Sequence, residues 1–318
     1  MSIVSSQKGI VLLLVLWVLT ILMVVVLSFS FMTRTETLST LAFKERTQEK
    51  FLAEGGLHRG IMELYYINAN RTLNVPLEGM EVWKTDGTVY TGQIGSGNYA
   101  VRILDETGKI DINMVPDVVL KTFLLNFGVQ EEQANIIVDS VMDWKDADED
   151  TRLNGAESAY YMSLSTPYHS KNANFDAVEE LLLVRGITPM LLYGDKTQKG
   201  IIDSLTVNSF VNRINIASAP KEVLMAVPGM TSEIADSIIS ARQGQGQALT
   251  QNIQGAIGGS YQAMAQYVSF AGANTYTIDA IGYQADRKKG YAIRATVLLN
   301  QDSTYSFVYY KSPANINQ

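Results

Sequence analysis

"IVLLLVLWVLTILMVVVLSFSFM", residues Ile10 to Met32, is a run of 23 residues without one charged side chain. A helix of that length spans about 34 Å, enough to cross a hydrocarbon core of roughly 30 Å. Only nine residues precede it, and Lys8 is their sole basic side chain. The positive-inside tendency then keeps Lys8 in the cytoplasm and puts the rest of the chain on the far side. An ordinary secretory signal has an apolar run of about 7 to 15 residues and then a small-residue cleavage site. This run is longer and is followed by "TRTETLSTLAFKERTQEKF", so plain signal removal fits poorly.

Beyond the apolar run the helical signal persists, with no Pro between Met1 and Asn74. Leu57, Ile61, Leu64 and Tyr65 recur at helical spacing on one face, which should pack on a globular head. Gly55 and Gly56 sit within this helix, where each costs about 1 kcal/mol relative to Ala, so a kink or a close approach is expected there. Further on, "NYAVRILDE", "GYAIRATVLLN" and "STYSFVYYK" alternate with period two. They predict strands with Tyr99, Val101 and Ile103 on one side, Tyr291, Ile293, Ala295 and Val297 likewise, and Tyr305, Phe307 and Tyr309 repeating the pattern. Gly95 and Gly97 in "IGSGNY" read as a turn between strands. Two sheet regions therefore flank a helix-rich middle, residues 111–265, which reads as an all-α domain inserted into an α+β head of residues 33–110 and 266–318. The Gly- and Gln-rich "RQGQGQALTQNIQGAIGGS" at its exit reads as a mobile loop.

Within the middle lies an internal repeat. "KIDINMVPDVVL" from Lys109 and "RINIASAPKEVL" from Arg213 align Ile110 with Ile214, Ile112 with Ile216, and Pro116 with Pro220; the segments that follow align Gly128 with Gly229. In each unit the Pro suits a first helical turn and the Gly a tight link between two helices. The second unit resembles the helix-hairpin-helix motif of DNA-binding and competence proteins. Between Arg213 and Arg242, however, Arg213, Lys221 and Arg242 are balanced by Glu222, Glu233 and Asp236, and the first unit is acidic. With a net charge of -7 and a pI near 5.0, the chain has no electrostatic footprint for phosphate, so nucleic acid is not an expected partner. There is no Cys, hence no disulfide, thiolate metal site or Cys nucleophile, and only His58 and His169 represent histidine. No phosphate loop, nucleophile elbow or helical His pair is present, so no enzyme and no catalytic residue is expected.

The strongest chemistry is acidic. From Asp139 to Glu157 seven carboxylates face only Lys145 and Arg152, a local balance of -5. Such crowding is costly unless something neutralises it. "DADEDTRLNGAE" sets Asp146, Asp148, Asp150, Asn154 and Glu157 at positions 1, 3, 5, 9 and 12 of an EF-hand calcium loop, with the Arg152 carbonyl at position 7. Thr151 stands where that loop takes Gly, so the winding need not match. Asp143, one turn earlier, is the reserve ligand. A solvated acidic loop is the plainer alternative.

Taken in order, these segments resemble a known family. The leader ending in Lys8 and Gly9, with the apolar helix starting at Ile10, looks like the class III signal of pilins and pseudopilins. Together with "FLAEGGLHRG", the "DW-x-D-x-D" pattern at Asp143, Trp144, Asp146 and Asp148, "NGAE" at Asn154 to Glu157, and "FDAVEELLLVRGITPMLLYG" from Phe175, it looks like the type II secretion system minor pseudopilin K. The resemblance implies a leader of residues 1–9, cut by a prepilin peptidase after Gly9 with methylation of Ile10. It also implies a transmembrane segment of residues 10–32 in the bacterial inner membrane, a periplasmic head, and a structural calcium ion held by the helical domain. Most pilins carry Glu at the fifth mature position; here Leu14 stands there, as in the K-type, which suits a subunit that enters a filament first. The implied role is a noncatalytic subunit at the pseudopilus tip that primes assembly with other minor pseudopilins and the major pseudopilin. Under that reading the face around Leu57, Ile61 and Leu64 meets partner helices. A minor type IV pilin for adhesion or DNA uptake is the rival. If the leader reading holds, mass spectrometry of the wild-type protein finds Ile10 as the first residue, and a bulky replacement of Gly9 leaves the chain uncut; a mature start near Phe31 would refute it.

Overall fold

The apolar run does not end where a bilayer would. Helix α1 (Gln7–Ala69) continues unbroken for 63 residues, about 95 Å at helical rise. Its side chains from Ile10 to Phe43 are almost all exposed, and the segment is long and apolar enough to cross a membrane. In this computed structural model, residues 7–69, 83–195, 197–242, 246–284, 290–300 and 302–316 are described, with residues 7–9 and 246–248 given by backbone alone. Residues 1–6 of the expected leader lie outside the described residues, as do residues 70–82 between α1 and the first strand.

The second half of α1 is the spine of a sheet. Strands β1 (Asp86–Ile94), β2 (Gly97–Asp105), β7 (Thr275–Gln284), β8 (Tyr291–Leu299) and β9 (Tyr305–Lys311) form one antiparallel sheet in the order β1-β2-β7-β8-β9. Alternation puts Val101, Ile103, Ile278, Ala280, Ile293, Ala295 and Val297 on the face that α1 covers, where they share a core with Ala53, Leu57, Ile61 and Leu64. Gly56 explains how the helix comes so close: a Cβ there would meet Tyr99 and Val101 at 3.0–3.2 Å. Gly95 makes the expected turn with φ +59.

Two expectations change. Leu57 and Ile61 are only 2% and 3% exposed, within the head's own core, so they are not free to meet partner helices. On the last strand, a bulge opposite Thr296 and Val297 pairs Phe307 with Val297 but Tyr309 with Thr296. Phe307 and Tyr309 therefore face opposite sides, and Tyr310, paired with Ala295, takes the place on the α1 side that alternation gave to Tyr309.

Between β2 and β7 the chain forms a helix-rich body with its own core, in which Phe123, Ile137, Tyr161, Leu192, Val223 and Ile238 are buried. Its elements in chain order are β3 (Ile110–Asp111), α2 (Asp117–Asn126), α3 (Glu131–Lys145), α4 (Ser158–Met162), α5 (Pro189–Tyr193), β4 (Leu205–Thr206), β5 (Ile214–Asn215), α6 (Lys221–Leu224), α7 (Ser232–Ala241), α8 (Gly246–Ile257), α9 (Tyr261–Met264) and β6 (Val268–Ser269). The sequence repeat is a structural repeat. Asp111 Oδ1 accepts from Asn113 N at 2.9 Å and Asn215 Oδ1 from Ala217 N at 3.0 Å, and Pro116 and Pro220 cap α2 and α6. Gly128 and Gly229 make the links at φ +94 and +85. In the second hairpin Thr231 caps α7 by accepting from Ile234 N, while Lys221 is paired with Asp236 at 2.7 Å. The segment read as a mobile loop is instead α8 followed by a short 3-10 turn, because Ile253 and Ile257, four apart, bury themselves beside Met264. Residues 243–245, at the start of that stretch, lie outside the described residues.

The reverse face of the sheet is polar, and there it meets the helical body. Asp279 is buried between Arg102 (2.8 Å) and Arg294 (2.7 Å), and Arg294 also reaches Asp203 of the helical body at 3.2 Å. Burial alone would raise the Asp279 pKa, but the two guanidiniums outweigh it and hold the carboxylate below its ordinary range. Asp279→Ala should cost about 1–3 kcal/mol, because it takes the shared carboxylate from two half-buried guanidiniums, of which only Arg294 keeps another partner in Asp203, and Leu57→Glu with Ile61→Glu should cost more than about 4 kcal/mol by burying charge in the core. Chemical denaturation of the purified head checks both; a Leu57→Glu, Ile61→Glu head with wild-type stability would contradict the packing described.

Candidate metal centre

The last two turns of α3 set Asp139, Asp143 and Asp146 at intervals of four and three residues, a single helix face. This is the C-terminal end, where the helix dipole adds further negative potential. Each carboxylate therefore needs a donor or a cation. Asp139 has found donors: its Oδ2 accepts from Asn154 N at 3.0 Å and Asn154 Nδ2 at 2.9 Å. Asp143, wholly buried, accepts from Arg152 N at 3.2 Å, and Arg152 Nε lies 3.3 Å from its Oδ1. Gly155 permits this return of the chain, since a Cβ there would overlap the Asp143 carboxylate.

Beyond Gly155 the chain turns Glu157 inward. One ligand oxygen from each of Asp143, Asp146 and Glu157 lies within 4.8 Å of the other two. Glu157 is buried; neither of its carboxylate oxygens nor Asp146 Oδ1 receives a hydrogen bond of good geometry, and the Ser170 hydroxyl only partly offsets the burial of Glu157. Burial is the main reason all three acids are harder to ionise than usual, with mutual repulsion adding to it; Glu157 is pushed up to about 7. Glu157 and Asp146 thus present buried oxygens without a good donor, Asp143 joins them while held by Arg152, and three carboxylates converging in this way form a donor set that a hard divalent cation such as calcium takes.

The other residues of the EF-hand spacing lie elsewhere. Asp148 and Asp150 are exposed, and Asp148 Oδ1 accepts from Asp150 N at 2.9 Å. Asn154 is engaged by Asp139. The loop does not wind around a centre as an EF-hand does; it returns across the end of α3, consistent with Thr151 in place of the turn-making Gly. Asp143, held as the reserve, stands at the centre. Sequence reasoning passed over Asp139 and Glu149, which accepts from Ser158 Oγ at 3.0 Å and Asn172 Nδ2 at 2.9 Å. The interval of four between Asp139 and Asp143 was the available signal. It also passed over Arg185, whose guanidinium donates to Gly155 O at 2.9 Å and lies 4.8 Å from the Tyr160 ring centre. Trp144 anchors the assembly from behind, packed with Tyr161, Tyr168 and Phe175 at ring separations of 5.2–6.3 Å.

Comparison with known proteins bears on this region. Residues 102–193, which contain the acidic centre, match the family described as type II secretion system (T2SS), protein K. The chain is 27% identical over 267 residues to the type II secretion system protein K of Pectobacterium carotovorum subsp. carotovorum, a match covering 79% of this chain and 80% of that relative. It is 29% identical over 177 residues to the protein of the same description from Pseudomonas aeruginosa, covering 52% and 50%, and 36% identical over 73 residues to the putative one of Escherichia coli K12, covering 23% and 22%. In fold it is similar to a chain of the GspK-GspI-GspJ complex from the enterotoxigenic Escherichia coli Type 2 Secretion System. There the TM-score is 0.57 and the identity 15%, with 89% of this chain and 99% of that chain covered.

A raised carboxyl pKa has a definite sign. The folded state holds the Glu157 proton more tightly than the unfolded chain, so the stability this confers is complete below the unfolded value of 4.5 and is lost as pH rises through about 7. The melting temperature of the metal-free head should thus fall between about pH 4.5 and pH 7, and millimolar calcium should abolish the fall by replacing the proton. Glu157→Gln should flatten the metal-free profile and blunt the calcium response. Identical pH profiles with calcium and with chelator would argue against a cation site.

Proposed function

We propose that this chain, which belongs to the type II secretion system protein K family, is a minor pseudopilin that sits at the tip of the pseudopilus and primes its assembly. The observation that carries the reading is architectural. One unbroken helix supplies both a membrane-length apolar segment and the spine of an antiparallel sheet, and a large helical body is inserted between strands β2 and β7 of that sheet. Such a body is bulky beside the space that side-by-side helices leave in a filament shaft, but it meets no neighbour at an end. Leu14 supports the same polarity. A carboxylate in hydrocarbon persists only where it finds a partner, and a first subunit has none above it.

On this reading the apolar helix is held in the inner membrane with the head in the periplasm, and a prepilin peptidase prepares Ile10 as the mature, methylated N-terminus. The helical body holds calcium through Asp143, Asp146 and Glu157, and the ion supplies structural neutralisation rather than catalysis. The partners are minor pseudopilins, by analogy with the complex in which a chain of similar fold assembles with others, and then the major pseudopilin. Since Leu57, Ile61 and Leu64 are used inside the head, partner helices are left the outward side of α1. Phe43, Phe51 and Met62 lie there, the last two 64% and 62% exposed.

Co-expression of the chain with the two subunits corresponding to GspI and GspJ should give one heteromeric species on gel filtration. Phe51→Glu with Met62→Glu should weaken that species at least about tenfold with the head's melting temperature unchanged. Separate elution of the three wild-type subunits would refute the complex, and regular labelling of this chain along filament sides would refute the tip position.

A further inference from the structure

Leu153 is the most exposed large apolar side chain among the described residues, at 96%. A leucine on a floppy loop would fold back against the surface; this one is held out. On one side Arg152 N and Nε are bound to Asp143 (3.2 and 3.3 Å), and on the other Asn154 N and Nδ2 are bound to Asp139 (3.0 and 2.9 Å). Gly155 N donates to Arg152 O at 3.0 Å, closing the turn beneath it, and Arg185 clamps Gly155 O at 2.9 Å. Arg152 Nη1 also lies 3.5 Å from Asp117, which ties the loop tip to the first turn of α2, where Val118 is exposed, as is Met114 just before the helix. The exposed charged residues within five positions of Leu153 along the chain are Asp148, Glu149, Asp150 and Arg152, and Arg152 brings Asp117 beside them.

A rigidly presented apolar knob within a negative rim has the character of an interface anchor, in which a central apolar group enters a pocket and complementary rim charges set orientation. We infer that Leu153 docks into a protein partner whose matching surface is an apolar socket edged with Lys or Arg. The inference rests on the reading of the chain as a secretion subunit, and the acidic rim is what selects a basic-edged protein over a second copy of this chain, which would bring like charge to like.

The test uses the full-length chain in cells that secrete through the system, with the photoreactive amino acid p-benzoylphenylalanine replacing Leu153. Irradiation should couple it to one protein, with the linked peptide lying beside basic residues on an apolar depression. Leu153→Asp and Leu153→Ser should lower secretion at least tenfold and Leu153→Met should restore it, all three with wild-type melting temperature and calcium response. Wild-type secretion by Leu153→Asp, coupling only to lipid or to another copy of the chain, or a lowered melting temperature in Leu153→Asp would each overturn the inference. A strain lacking the chain altogether that still secretes would instead overturn the secretion reading itself, so the two failures are distinct.

Discussion

The whole head depends on how closely one helix can lie against one sheet. The contact is built from small residues on both sides. Ala53 and Gly56 on α1 meet the strands with little or no side chain, and Gly282 on β7 leaves room for the helix backbone, since a Cβ there would overlap the Glu49 carbonyl and the Ala53 amide. Around that line of approach Leu57, Ile61 and Leu64 interdigitate with Val101, Ile278 and Val297. Close packing of this kind tolerates neither added volume nor added charge. Because the same helix continues through the apolar run, the packing also fixes where the head stands relative to that run. The head cannot swing without breaking either the core or the helix.

The opposite face of the sheet solves a different problem. There the strands must meet the helical body, and they do so through charge: Asp279 pairs with both Arg102 and Arg294, and Arg294 extends to Asp203, whose carboxylate balances the second guanidinium. A buried ion pair of this type is a poor source of stability but a strict source of geometry, because any other arrangement strands a charge. The bulge in β9 belongs to this arrangement. By turning Tyr309 toward the reverse face, it leaves Tyr305, Phe307 and Tyr310 on the α1 side as a run of ring contacts at 5.4 Å.

The acidic centre concentrates the same electrostatic tension at one end of α3. Seven carboxylates lie within one short stretch, and the fold has sorted them by the means each has of bearing its charge. Asp139 has an asparagine, Glu149 has a serine and an asparagine, and Asp148 and Asp150 have water. Asp143, Asp146 and Glu157 are left facing one another, and in them the cost of burial appears as a raised pKa. The loop that performs this sorting also holds Leu153 clear of the surface, so one set of hydrogen bonds organises both an inward-facing acid cluster and an outward-facing knob.

Much of this is local and therefore legible in the sequence. The uncharged run from Ile10, the period-two strands, the paired Pro and Gly of the repeat, and the acidic stretch each follow from residue spacing, and spacing is all that a helix face or a pleated strand needs. Where the reading departs from the structure, distant residues decide. Leu57 and Ile61 are apolar at helical spacing whether they meet a neighbour or their own sheet, and only the sheet's position assigns them inward. The stretch after Arg242 looks like a linker by its Gly and Gln content, but Ile253 and Ile257 find a core to enter, and burial overrides composition. Spacing likewise gathers oxygen donors near Asp146 but does not say which converge, because that depends on Arg185 and Asn172, brought back from outside the loop, and on the room Gly155 leaves for Asp143. Sequence by itself determined the kinds of element and the chemistry present. Tertiary packing decided which apolar face is spent internally and which carboxylates are left without donors, since both depend on contacts between residues tens to hundreds of positions apart.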